Sequence, residues 1–91
     1  MKTRVVFLEL SGHPTVILPV KPEVAEDIER AKAAIVKYKP HFAKHTIVLM
    51  GNGLRPVYVG KGELVRQLDA MDETLLKWTD IELVPAGYTV L

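Results

Sequence analysis

Four consecutive apolar residues, Ile47-Val48-Leu49-Met50, stand between Thr46 and Gly51. The run is too short for a helix and carries β-branched side chains, so it reads as a strand. Successive side chains of a strand point to opposite faces, so this strand is apolar on both. Val5-Val6-Phe7-Leu8 and Val16-Ile17-Leu18 repeat the pattern. An antiparallel sheet with one wet face would alternate apolar and polar residues. These runs do not, so a sheet built from them needs cover on both sides.

Two segments can supply cover. From Pro22 to Lys39, the residues Val24, Ile28, Ala31, Ile35 and Tyr38 recur at helical spacing. Proline suits a first helical turn, and Pro40 stops the segment. From Glu63 to Trp78, the residues Leu64, Leu68, Met71, Leu75 and Trp78 draw a second stripe. A break near Met71, with Asp72 and Glu73 opening a fresh turn, is the alternative for its second half. The other short apolar runs read as strands: Val5 to Leu10, Thr15 to Val20, Thr46 to Met50, Val57 to Val59, Ile81 to Val84 and Tyr88 to Leu91. Turn residues separate consecutive strands at Ser11-Gly12-His13-Pro14, Gly51-Asn52-Gly53 and Pro85-Ala86-Gly87. The strand, turn, strand and helix pattern recurs at about forty residues, pairing Ile28 with Leu68 and Tyr38 with Trp78.

The order is therefore ββαββαββ in a single α+β domain spanning residues 1–91. Without its first and last strands it has the ferredoxin-like, split βαβ order. That order implies a two-layer sandwich, an antiparallel sheet with both helices on one face. A β-grasp sheet, opened by the first hairpin and crossed by the first helix, is the alternative. In the two-layer arrangement the second face is left bare. A second copy of the chain is its simplest cover, with Val6, Leu8, Leu10 and the apolar Val90 at the interface.

Composition narrows the chemistry. Twelve basic residues against eleven acidic ones leave a net charge of +1, with no electrostatic footprint for nucleic acid. Arg4, Arg55, Lys61 and Arg66 would have to gather on one edge to make such a footprint. The mid-strand aromatics Phe7 and Tyr58 lack basic flanks and read as core. The absence of cysteine excludes disulfides, a thiol nucleophile and cysteine-ligated zinc. No apolar stretch is long enough to span a bilayer and none reads as a signal peptide, so the expected location is cytoplasmic.

Three groups of residues are candidates for chemistry. Lys21 precedes the first helix, and Gly60-Lys61-Gly62 precedes the second. In a split βαβ sheet both helix starts share one edge. Their free N–H groups, with Arg66 one turn on, would attract a phosphate, nucleotide or carboxylate. Glu23 and Glu63 oppose this by complementing the helix dipoles themselves. His41 and His45 have the spacing of two metal ligands on a helix, without a third nearby. Acid–base chemistry would draw on Glu9, Glu82, a histidine, or Asp69, Asp72 and Glu73, but no serine elbow, HExxH or paired-acid signature is present. The leading expectation is a non-catalytic domain acting by protein–protein association, as a homodimer or larger assembly. An anion-binding module at the helix starts comes second and an enzyme third, with no cofactor or metal implied.

Overall fold

The computed structural model describes all of Met1–Leu91. It is an α+β domain with one six-stranded mixed sheet in the order β4-β3-β2-β1-β5-β6. The strands are β1 (Lys2–Leu10), β2 (His13–Val20), β3 (Thr46–Gly51), β4 (Val57–Val59), β5 (Trp78–Val84) and β6 (Gly87–Val90). All six segments expected from the sequence are strands.

Two tight hairpins fix the registers. β1 and β2 meet through Ser11 and Gly12, with Leu10 opposite His13. Both turn residues have positive φ, 49° and 77°, the backbone that a two-residue turn needs to match strand twist. β5 and β6 meet through Pro85 and Ala86, with Val84 opposite Gly87. Here Ala86 carries the positive φ, 61°.

The sheet is not wholly antiparallel. β2 and β3 are parallel neighbours, with Thr15 opposite Thr46 and Val20 opposite Gly51. A parallel pair needs a crossover, and the helical segment between them provides it. In a split βαβ sheet another strand would lie between these two. The expected ferredoxin-like order is therefore replaced by a direct β-α-β step.

The crossover is two helices, not one. α1 (Pro22–Glu26) and α2 (Ile28–Tyr38) are separated by Asp27, which has extended backbone (φ −110°, ψ 113°). The Asp27 carboxylate accepts hydrogen bonds from Glu29 N–H at 3.0 Å and Arg30 N–H at 3.2 Å, capping α2. That restart shifts the helical phase. Ala31 is buried while Ile28 is 66% exposed, against the expected stripe. A 3-10 turn, Lys39–His41, follows.

The second helix is short. α3 runs from Gly62 to Asp69, and Leu64 and Leu68 are its buried residues. A separate 3-10 turn, Glu73–Leu75, is capped by the Asp72 side chain accepting from Thr74 N–H at 2.9 Å. The break near Met71 is the outcome. Leu75 is exposed and Trp78 lies in β5 opposite Val6, so neither continues a helical stripe. The forty-residue likeness therefore ends with Tyr38 on a helix and Trp78 on a strand.

The largest correction concerns the layers. Buried residues form two clusters, one on each face of the sheet. Val5, Val16, Leu18, Ile47 and Leu49 pack under α2 through Ala31, with Phe42 alongside. Val6, Leu10, Ile17, Val48 and Met50 pack under α3 through Leu64 and Leu68, with Leu76 alongside. The helices thus cover opposite faces, and the apolar runs are apolar on both sides because each side has its own helix. The two-layer arrangement does not hold, and with it goes the bare face.

Candidate functional site

The direction of β4 decides which candidate residues meet. β2 and β3 run in parallel, and β4 runs against both. Lys21 follows the last residue of β2, which lies opposite Gly51. Gly60 follows the last residue of β4 and packs by Ile47 and Val48, near the start of β3. The two helix starts are therefore at opposite ends of the sheet, about four residues or ~13 Å apart along β3. The shared edge expected for Lys21 and Lys61 belongs to the split βαβ order and is lost with it. Lys21 borders a separate hollow with Lys37 and Tyr38. Gly62 opens α3, and Arg66 is exposed farther along that helix.

Gly60 and Lys61 instead border a cleft of about 550 Å³ between α2 and the β3–β4 end of the sheet. Its origin is geometric. A helix covers a band about 10 Å wide and strands are spaced about 4.8 Å apart, so α2 alone covers roughly two of the six strands. Beyond it the face stays partly open at Val59 of β4, next to the buried Ile47 and Leu49 of β3.

Ile28, Ala31, Ile35, Ile47 and Val59 form the apolar part of the cleft, and Lys32, Lys39, Lys61 and His45 its basic part. No carboxylate lines it. Ile28, Lys32 and Ile35 follow one another at helical spacing on α2, and Lys39 at its C-cap continues the row. Lys61 arrives from the opposite side, from the turn that leads into α3. Gly60 keeps that turn close: a Cβ there would lie 3.2 Å from both Ile47 O and Val48 Cγ2.

His45 closes one end. Its backbone N–H donates to Phe42 O at 3.0 Å, and its ring centroid lies 5.2 Å from that of Phe7. Burial holds its pKa below the ordinary histidine value, which favours the neutral ring at pH 7. The basic character of the cleft at neutral pH is thus that of its three lysines.

His41 does not join His45 in a ligand pair. The stretch between them is a 3-10 turn and a non-helical Phe42, not a helix face. His41 Nδ1 lies 2.8 Å from Val84 O and 2.9 Å from Gly87 O. Two carbonyl acceptors require the proton on Nδ1, so His41 is a tie to the β5–β6 turn. No three histidine or acidic side chains come together as a metal cluster.

The acids of the second helical segment lie elsewhere. Asp69, Asp72 and Glu73 border a hollow with Tyr58 and Arg55. Burial, then Glu73, then Asp69 raise the Tyr58 pKa and keep its phenol protonated. Glu82 and Glu9 lie on β5 and β1, away from both hollows.

The residues expected at a dimer interface divide. Val6 and Leu10 are interior and Leu8 packs against the same cluster beneath α3, so these three are core on this chain. Val90 is exposed on β6. The basic residues do not gather: Arg4 pairs with Asp80 at 3.6 Å, Arg55 sits by the acidic hollow, Lys61 by the cleft and Arg66 on α3. Tyr58 is buried and Phe7 is half-buried on the α2 side.

Ile28, Lys32 and Lys39 were not singled out as binding residues by the sequence, and His45 stood out there only as a metal-ligand candidate. The spacing of the first three is visible there, but nothing local says that the stripe beside the buried one overlooks β4. No helix is long and apolar enough to cross a membrane. Comparison with protein-family models, with curated proteins and with solved structures finds no match.

Proposed function

We propose that this chain is a non-catalytic binding module whose α2–β4 cleft takes a small molecule with an apolar body and an anionic head. The observation that carries the reading is the lining: five apolar side chains, three lysines and no carboxylate. Apolar walls with a few convergent polar groups are the usual make-up of a small-molecule site. The volume of about 550 Å³ falls within the ordinary range for such sites. An anion there meets opposite charges on two sides, from α2 and from the turn before α3. The apolar floor then adds favourable burial that a free phosphate cannot use.

A binding role is favoured over a catalytic one by what surrounds the cleft. Its one histidine is His45, and no serine, cysteine or carboxylate lines the space beside it.

Decanoate is a suitable probe, with decanol and inorganic phosphate as separate arms. Decanoate should shift the amide signals of Ala31, Thr46, Gly60 and Lys61, and do so more strongly than either control. Lys61→Glu and Lys32→Glu should each weaken the effect. Equal responses to decanol and decanoate would reduce the site to a nonspecific apolar hollow. Shifts confined to residues outside the cleft would remove the proposal.

A further inference from the structure

We propose that two copies of this chain associate edge to edge through β6, antiparallel, about a two-fold axis at Thr89. The proposal rests on which main-chain groups β6 leaves free. Val84 and Gly87 close the hairpin, and Leu91 N–H donates to Asp80 O at 3.0 Å. In an antiparallel pair alternate residues face the partner strand. Gly87, Thr89 and Leu91 therefore turn to β5, and Tyr88 and Val90 turn their N–H and C=O groups outward. β6 is the last strand of the sheet, so no other strand of this chain takes up those groups.

The two edges of the sheet are not alike. β4 has three residues, follows Arg55-Pro56 and precedes Gly60-Lys61. Proline and nearby charge are the usual guards of an edge strand. β6, Gly-Tyr-Thr-Val, has no charged residue on either flank, and its nearest proline, Pro85, sits back in the hairpin turn. An axis at Thr89 sets Tyr88 opposite the partner's Val90. Each Tyr88 N–H then meets the C=O of the partner's Val90, and each Val90 N–H meets the C=O of the partner's Tyr88. The register is self-complementary, as a two-fold interface requires.

Side chains agree with it. Tyr88 and Val90 share a face with Leu83 and Ile81, and Val90 is 58% exposed. Pairing would lay Val90 against the partner's Tyr88. On the opposite face the axis brings threonine to threonine. Glu82, one strand inward, stays about three strand spacings or ~14 Å from its copy, so no like charges are forced together. The contact is short, and a dissociation constant between roughly micromolar and millimolar is expected.

The test is sedimentation velocity from about 10 µM to about 1 mM, with hydrogen exchange of the Tyr88 and Val90 amides at both ends of that range. The expected result is a mass rising toward the dimer and slower exchange at those two amides at high concentration. Val90→Pro removes only an outward N–H, and Val90→Lys adds an edge charge while keeping the N–H. Each should weaken association roughly tenfold or more. A single-copy mass throughout would overturn the proposal. So would a dimer that both variants leave unchanged, or one in which the two amides exchange as fast as in the monomer.

Discussion

Ala25 of α1 stands where the side chain of Gly51 would be: a Cβ built on Gly51 would lie 2.6 Å from Ala25 Cβ. Real carbon atoms do not approach so closely, so β3 and α1 can touch only because position 51 has no side chain. The contact anchors the crossover where the chain leaves β2, since Val20 lies opposite Gly51. Gly51→Ala should therefore destabilise the domain by about 1–3 kcal/mol through overpacking. Ala25→Gly in the same chain should recover part of that loss. Urea melts of the two single variants and the double variant measure the coupling, and strictly additive losses would contradict the contact.

Leu68 and Ile28 occupy matching places in the sequence stripes but opposite environments in the fold. Leu68 is fully buried in the α3-side core, and Ile28 is 66% exposed at the cleft. Leu68→Ala should cost about 2–5 kcal/mol and Ile28→Ala less than about 0.5 kcal/mol. Ile28→Ala should instead weaken decanoate binding. Similar losses of stability for the two variants would mean that the helix phase after Asp27 has been misplaced.

The contrast marks what was legible in the sequence. Strands and hairpins were, because β-branched runs and turn residues such as Ser11-Gly12 act over a few positions. The restart at Asp27 was not, because Val24, Ile28, Ala31 and Ile35 keep helical spacing across it and a cap of this kind does not disturb the pattern. The layers failed for a different reason. Apolar strands state that both faces are covered, and they do not state by what. The same pattern in Ile47-Val48-Leu49-Met50 suits a dimer and a sheet flanked by a helix on each side. Choosing between them needs the direction of β4 and the length of α3, which are set by tertiary pairing. The candidate site suffers in turn: Lys61 stands out in the sequence for its flanking glycines, while no local pattern marks Lys32 and Lys39.

Ala86 holds a left-handed backbone, φ 61°, in the two-residue turn between β5 and β6. A residue with a Cβ pays roughly 1–2 kcal/mol for that conformation, which glycine adopts freely. The turn is also held from outside by His41, whose Nδ1–H is shared between Val84 O and Gly87 O. Ala86→Gly should raise stability by about 0.5–1 kcal/mol, with part of the relief offset by the greater freedom of glycine in the unfolded chain. His41→Ala should lower it by about 1–2 kcal/mol, because two half-buried carbonyls lose their donor. Thermal melts check both. A destabilising Ala86→Gly would argue against a left-handed residue at this turn.

His45 gives the domain a pH dependence whose sign follows from its burial. Its folded-state pKa is lowered from the model-compound value of 6.5 by burial against the aromatic cluster of Phe7, Phe42 and Tyr88. Below that value the unfolded chain takes up the proton more readily than the folded one. Stability therefore rises with pH in this window. The contribution is present in full above the unfolded pKa, declines as pH falls through it, and levels off once the folded histidine is protonated too. Urea midpoints should hold steady between about pH 8 and 7 and fall toward pH 5, while His45→Gln should show a flatter profile over the same range. His13→Gln serves as the control, since His13 lies outside this cluster, at the start of β2. If His45→Gln and the parent chain lose stability in parallel on acidification, the dependence belongs to other groups and the neutral, half-buried ring at position 45 is refuted.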